Sequence, residues 1–420
     1  MNKKLLLVAM ALTLFASCGQ PVASPTPTPT ASSLDERIRR VENGLVELGE
    51  NGQVMWEENG TLAERMDHYQ VPGVSIAVIN DYQIEWSKGY GVLEAGADEP
   101  VTADTLFHAG SIAKPVSAAA VLTLVERGLL DLDENVNDKL VSWQVPENQY
   151  TADEKVTLRR LLSHSAGIGD GFTNRSMTDP VPTYTTPAGE APTVTLQQLL
   201  DAEPGVDVDG VTRVTSVPGT EHRYANADYA IVELLVVDVT QQPFPEFMSE
   251  VVLEPLAMTS STFEQPLPED LRARATTEHD VNGQPFEGER LHLPLLAAGG
   301  LWTTPSDLAR FAIEIMLAYK GQSDKVLSQE TANEMLTPQI DTPNELLSDS
   351  SGLGFHLAGE GQGSLLQHTG ATWGSTSLLW VYPERGQGAV MMTNSTSGDG
   401  IIRIEILLSI AEAYGWPLTK

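Results

Sequence analysis

The chain has 420 residues, 41 % of them hydrophobic and 20 % charged, which is enough for a large core in one big domain or two intimately joined ones. Its formal net charge of −32 excludes a nucleic-acid-binding surface, since so acidic a protein repels phosphate and no basic cluster opposes the trend. The sole cysteine is Cys18, and the eight histidines contain neither His-x-x-x-His nor His-Glu-x-x-His, so no disulfide, no metal and no other cofactor is expected.

Met1-Asn2-Lys3-Lys4 precedes an apolar run from Leu5 to Ala16. Two lysines before a run too short to span a bilayer comfortably make residues 1–17 a signal peptide. Leu14-Phe15-Ala16-Ser17-Cys18-Gly19 resembles a bacterial lipobox, with Phe15 where leucine is usual. On that reading Cys18 is lipidated and the protein is an exported, periplasmic or cell-surface lipoprotein that meets the membrane only through its anchor. Ordinary cleavage nearby, with an incidental cysteine, is the alternative. Residues 18–33 form a Pro/Thr/Ser-rich linker that cannot bury enough apolar surface to fold and extends as a spacer. Leu34, Ile38, Val41, Leu45 and Leu48 then recur at helical spacing, which predicts a short packed helix within an N-terminal helical extension, residues 34–61.

Val74 to Ile79 and Tyr82 to Val92 are β-rich runs joined by Asn80-Asp81, a hairpin signal. From Ile112 to Leu130 the chain is mostly Ala, Val and Leu, a buried helix with Pro115 tolerated in its first turn. Ser111-Ile112-Ala113-Lys114 opens that helix. Positions i and i+3 share a helix face, so the amine can reach the hydroxyl. A desolvated amine loses proton affinity and can take the proton of a serine nucleophile. Unpaired N–H groups at the helix start can also bind a developing oxyanion. By itself Ser-x-x-Lys is a weak signal and most such pairs are helix surface.

Val156 to Leu162 reads as a short helix ending at Ser163-His164-Ser165-Ala166-Gly167, where His164 is given a packing role. Ile168 to Val217, rich in Gly, Pro and Thr, is an irregular excursion. Tyr229 to Val239, Glu246 to Leu253 and Ser306 to Tyr319 read as helices, the last started by Thr304-Pro305-Ser306-Asp307. Leu365 to Thr369, Ser375 to Val381 and Gly388 to Thr393 are strands, with a turn at Glu384-Arg385-Gly386, and Ile401 to Tyr414 is an apolar helix. The expected fold is α+β, an α/β sandwich. Its antiparallel sheet is built from N- and C-terminal segments and flanked by helices, with a mostly helical subdomain at about 125–300 inserted into a domain spanning 62–418.

Two more short patterns follow Ser111-x-x-Lys114 in order: Tyr224-Ala225-Asn226 and His368-Thr369-Gly370. Alone, the first is a turn pair and the second a strand end. Together with Val71-Pro72-Gly73-Val74-Ser75-Ile76-Ala77-Val78, Ser87-Lys88-Gly89-Tyr90-Gly91, Leu161-Leu162-Ser163-His164-Ser165-Ala166-Gly167, Pro218-Gly219-Thr220, Glu254-Pro255-Leu256-Ala257-Met258 and Ala298-Gly299-Gly300-Leu301, they make the chain resemble the serine β-lactamase and penicillin-binding protein superfamily, class C-like branch. The resemblance runs from about Leu62 to the C-terminus and implies the β-lactamase/transpeptidase-like fold. It implies that Ser111 is the acylated nucleophile, Lys114 its activator and Tyr224 a proton relay. It also implies that Asn226 orients Lys114 and the substrate, that His368, Thr369 and Gly370 edge the pocket, and that the N–H groups of Ser111 and Ala371 form the oxyanion hole. Which residue is the acylation base varies across the superfamily.

His368 departs from the lysine that β-lactamases and many penicillin-binding proteins carry there to bind a substrate carboxylate. The class A deacylation glutamate motif is not recognisable in residues 168–217. Trp373 reads equally as pocket lining or as packing. The expected protein is a serine hydrolase acting on a small-molecule ester, amide or peptide, esterase or D-amino-acid peptidase (DD-peptidase-like) ahead of β-lactamase. A catalytically silent cell-wall or peptide-binding lipoprotein is the alternative of another class, and the three intact motifs argue against it. Substrate choice is assigned to the excursions 168–217 and 266–293, and oligomeric state is left open.

Overall fold

A computed structural model describes residues 33–48, 54–169, 171, 181–182, 184–187, 194–286, 290–343 and 348–417. The expected signal peptide, the lipobox with Cys18, and the linker up to residue 32 lie outside the described residues. No helix among the described residues is long and apolar enough to cross a membrane. The chain forms two compact units: one from the described residues of Met1–Tyr69 and Gly400–Lys420, the other Gln70–Asp399.

In the first unit, Ser33 caps the helix Leu34–Asn43 by accepting the Glu36 N–H at 3.2 Å, and Asp35 and Glu36 suit its positive end. The helix stops at Gly44. Leu45–Leu48 is a strand paired antiparallel with Val54–Gly60, so residues 34–61 are not helical throughout. The apolar spacing of Leu45 and Leu48 fits a helix, but the glycine breaks it and a partner strand takes over the backbone. Thr61 and Glu64 form a capping box for Leu62–His68: Thr61 N–H donates to Glu64 Oε2 at 2.8 Å, and Glu64 N–H to Thr61 Oγ1 at 3.1 Å. The helix Ile401–Tyr414 belongs to this unit, its Ser409 hydroxyl donating to Val41 O at 3.1 Å. Inside it the buried Glu405 carboxylate receives the Tyr69 hydroxyl at 2.7 Å and lies 3.5 Å from Arg65 Nε.

The second unit is built on an eight-stranded antiparallel sheet. From one edge the order is Gln83–Gly91, Gly73–Asn80, Gln387–Thr393, Thr376–Tyr382, Leu365–Ala371, His356–Ala358, Ser350–Ser351 and Ile340–Asp341. Segments from both ends of the unit therefore share one sheet: Gly73–Asn80 lies beside Gln387–Thr393 with Ala77 opposite Val390. Every residue of Gly73–Asn80 but the last is buried, as a central strand requires. Its hairpin turn falls at Asp81-Tyr82, one residue beyond the expected Asn80-Asp81, because Asn80 still pairs with Gln83. Both turn residues are left-handed, φ +52° and +56°, as a two-residue turn of matching twist demands. Tyr82, an unusual residue there, is held by its hydroxyl donating to Pro383 O and its N–H to Gly386 O, each at 2.9 Å.

Three long helices pack in this unit: Ala113–Glu126, Asn226–Thr240 and Pro305–Tyr319. Ala113 through Leu124 are all buried. That helix ends four residues before the expected Leu130, because Gly128 turns left-handed at φ +67°. Thr304 caps Pro305–Tyr319 as expected, accepting the Asp307 N–H at 3.1 Å, and the helix packs on the sheet. The expected helix 246–253 is two pieces, Phe244–Met248 and a π-helical turn Ser249–Leu253. The two irregular excursions are stitched together: Thr186–Pro187 pairs with Leu291–His292.

Candidate active site

Gly110–Ile112 is a single 3₁₀ turn feeding the helix Ala113–Glu126. It carries Ser111 half-buried at the surface. The turn lies hard against the strand Leu365–Ala371. A Cβ on Gly110, φ +53°, would sit 2.7 Å from Ala371 N, and one on Gly370 would sit 2.0 Å from Ala109 O. Glycine at both places lets the backbones touch. Thr372 N–H donates to Ser375 O at 2.9 Å. The pleat therefore turns the Ala371 N–H to the other edge, toward Gly110 and Ser111.

One turn on, Lys114 is wholly buried. Its Nζ lies 3.0 Å from Ser111 Oγ, 2.8 Å from Asn226 Oδ1 and 2.8 Å from Ala298 O. It also stands over the rings of Tyr224 at 4.9 Å and Tyr229 at 5.7 Å, where the ring faces favour a cation. Tyr224 OH also donates to Ser111 Oγ, at 2.8 Å. Asn226 is the first residue of the helix Asn226–Thr240, which fixes its amide beside the lysine. Asn226 Oδ1 and Ala298 O can only accept, so each takes an N–H of Lys114. The amine's remaining N–H is donated to Ser111 Oγ.

His368 is buried on the Leu365–Ala371 strand, while Thr369 and Ala371 are exposed. His368 Nδ1 lies 2.7 Å from Thr369 O. A carbonyl only accepts, so Nδ1 carries the proton and Nε2 of the neutral ring is an acceptor. Burial first, then His356 and Lys114, hold the His368 pKa well below its ordinary value. His356, 5.2 Å from His368 ring to ring, is pushed down to about 4 by burial, His222 and Lys114. His164 is lowered as well, by burial and then Lys114. Three neutral imidazoles thus surround the lysine without adding charge.

The structure brings together Ser111, Lys114, Tyr224 and Asn226, and sets His368 within 6.5 Å of Tyr224 ring to ring. Cys18 lies outside the described residues. His164 packs against Tyr224 at 4.4 Å and lies 2.7 Å from Asp228 Oδ2 through Nδ1, a partner the sequence did not single out. Trp373 is buried in an apolar cluster with Leu291 and Leu293. Glu233 was also missed. It is one face of a helix behind Asn226, buried, with Oε2 accepting the Ala297 N–H at 2.9 Å. It therefore braces the turn whose next residue, Ala298, holds Lys114. Burial drives its pKa up to about 8, against the pull of the Ala297 and Leu296 N–H groups. Its only sequence signal is an acid inside an otherwise apolar helical run. Among the described residues no cluster of three or more His, Cys, Asp or Glu is arranged to hold a metal ion.

A sequence model of the Beta-lactamase family matches residues 59–412. Penicillin-binding protein 4 of Amycolatopsis lactamdurans is 30 % identical over 349 residues, 81 % of this chain and 84 % of that protein. Protein flp of Staphylococcus aureus (strain N315) is 23 % identical over 337 residues, 78 % of this chain and 60 % of that protein, so the chain spans about three-fifths of that relative's length. Two solved structures share the fold. The octameric penicillin-binding protein homologue from Pyrococcus abyssi has a TM-score of 0.66 at 24 % identity, covering 84 % of this chain and 76 % of that one. The D-amino acid amidase from Ochrobactrum anthropi SV3, complexed with L-phenylalanine amide, has a TM-score of 0.64 at 22 % identity, covering 84 % of this chain and 96 % of that one.

Proposed function

The chain belongs to the Beta-lactamase family, whose members are serine hydrolases working through an acyl-enzyme, and from that premise we propose that it cleaves an ester or amide through an acyl-enzyme on Ser111. The observation that carries this is the bracketing of Ser111 Oγ by Lys114 Nζ at 3.0 Å and Tyr224 OH at 2.8 Å. Serine is a poor nucleophile near neutral pH until a base takes its proton. The Ser111 proton passes into the Lys114–Tyr224 pair as Oγ attacks the carbonyl carbon. The carbonyl oxygen becomes an oxyanion that the Ser111 and Ala371 N–H groups stabilise. Tyr224 returns a proton to the departing alcohol or amine. Water then adds to the acyl carbon with the same pair taking its proton, and the acid leaves as Ser111 is reprotonated.

The substrate is a small ester, amide or peptide, cleaved by esterase or D-amino-acid peptidase (DD-peptidase-like) action. Neutral His368, with its Nδ1 proton committed to Thr369 O, offers an acceptor where a cation would be needed to hold an anion. Esterase or D-amino-acid amidase and peptidase action therefore ranks ahead of β-lactam hydrolysis. The leader and Cys18 support an exported protein held at a membrane by lipid, which globomycin-sensitive processing and palmitate labelling of Cys18 would test.

The activity is tested with a fluorophosphonate label and a panel of short-chain p-nitrophenyl esters, D-amino-acid amides and a chromogenic cephalosporin, on wild type and Ser111→Ala. One adduct per chain, lost in Ser111→Ala together with turnover, is expected, with ester or amide turnover well above cephalosporin turnover. An adduct that survives Ser111→Ala removes the nucleophile assignment, and efficient cephalosporin turnover reverses the substrate ranking. No adduct at all moves the protein to the binding class.

A further inference from the structure

Behind the corner where Gly110 meets Ala371 sits a carboxylate that the acyl-transfer steps do not use. Glu278 has no exposed surface. Its Oε1 accepts the Thr372 hydroxyl at 2.7 Å and lies 3.3 Å from His108 Nδ1, and its Oε2 accepts the Leu291 N–H at 2.7 Å. An ion this deep is unfavourable unless donors surround it, and here three converge. Burial pushes the Glu278 pKa up. The charge of His108, with the hydrogen bonds from His108, Thr372 and the Leu291 N–H, outweighs that and leaves the group below its ordinary value.

The three donors come from segments far apart in sequence, and each matters to the site. His108 is three residues before Ser111, and its ring stacks on Trp302 at 4.8 Å. Thr372 directly follows Ala371. With its proton committed to Glu278, the Thr372 oxygen accepts the Ser375 N–H at 3.0 Å and the Gly374 N–H at 3.2 Å. The turn so fixed returns to the serine side: Ser375 Oγ donates to His108 O at 2.9 Å and Ser377 Oγ to Ala109 O at 2.7 Å. Leu291 starts the strand that pairs with Thr186–Pro187 and packs with Leu293 and Trp373.

We propose that Glu278 is a positioning residue of the oxyanion site: by binding His108, Thr372 and Leu291 together it fixes the spacing of the Ser111 and Ala371 N–H groups. The inference rests on the acyl-enzyme reading of Ser111. Oxyanion donors act only when aimed at the charge that develops in the transition state, so loosening their spacing lowers kcat more than substrate binding. Glu278→Gln keeps the shape but replaces one acceptor oxygen by an N–H donor, which must face a donor of His108, Thr372 or Leu291.

The test compares wild type, Glu278→Gln, Thr372→Val and Thr372→Ser, each checked for folding by circular dichroism and melting. The readouts are kcat and KM for a p-nitrophenyl ester and the rate and final stoichiometry of fluorophosphonate labelling. For Glu278→Gln and Thr372→Val a fall in kcat and in labelling rate of about 10- to 100-fold is expected, with KM within about threefold, full final labelling, and recovery in Thr372→Ser. A kcat within about threefold of wild type in folded Glu278→Gln, or a change confined to KM, overturns the proposal. Should Glu278→Gln not fold, the Thr372→Val and Thr372→Ser pair decides by the same criteria. Failure of wild type to label at Ser111 would instead overturn the acyl-enzyme reading.

Discussion

Glu233 shows how one residue ties the chemistry of the site to stability. Its carboxyl is neutral in the fold until about pH 8, against an ordinary value of 4.5. A folded-state pKa raised above the unfolded one means the native state binds the proton more tightly. The group therefore costs nothing below about pH 4.5, and its cost grows as pH rises toward 8 and is complete above it. Glu233→Gln keeps an acceptor for the Ala297 N–H and removes the ionisation. The variant is expected to gain on wild type by something on the order of 2–4 kcal/mol between pH 5 and pH 9, read as Tm against pH. A Tm difference that does not change with pH would show that Glu233 does not titrate in this range. Lys114 is the beneficiary, since Glu233 holds the Ala297 N–H and the adjoining Ala298 carbonyl holds the amine.

Among the elements, the strand Leu365–Ala371 and the turn Gly110–Ile112 work as one piece. A methyl on Gly370 would sit 2.0 Å from Ala109 O and 2.3 Å from Ser377 Oγ. Gly370→Ala is therefore expected to push the strand off the serine turn, lowering kcat by about 100-fold and stability by about 1–3 kcal/mol. Gly363→Ala, which meets no atom within 4 Å, is the control. Equal kinetics and melting in the two variants would mean the contact does not matter. The elements that sequence disclosed were those with a period or a cap. They include the all-apolar helix after Ser111, the Thr304-capped helix, the three C-terminal strands and the helix Ile401–Tyr414. Where a partner decides, the chain was silent or misleading. Leu45 and Leu48 keep helical spacing yet lie on a strand, and the Asp81-Tyr82 turn depends on contacts from Pro383 and Gly386. The same limit holds in the site. Ser111, Lys114, Tyr224, Asn226 and His368 were legible as short motifs and their resemblance. Asp228 under His164, Glu233 under Ala298 and Glu278 under Thr372 were not, because a buried polar partner leaves no periodic trace.

For the molecule as a whole, 57 acidic against 25 basic side chains make self-repulsion a standing term against the folded state. Screening acts within about 10 Å at 0.1 M salt. Melting in 0.5 M sodium chloride is therefore expected several degrees above melting in 0.01 M, by about 3–8 °C. A flat or falling Tm would mean that local ion pairs dominate instead. The α+β class and the joining of distant segments in one sheet were legible because strand-like runs stand at both ends of a helical middle. That joining also sets a timetable for folding. The strand Gly73–Asn80 has Gln387–Thr393 as its inner neighbour, so its hairpin stays half paired until a strand near the far end of the chain joins it. Until that partner and the strand bearing Ala371 are in place, the turn bearing Ser111 can lead into the helix bearing Lys114, but the close contact of Gly110 with Ala371 is not made. On the acyl-enzyme reading, hydrolysis is thus expected only once these last strands have joined the sheet.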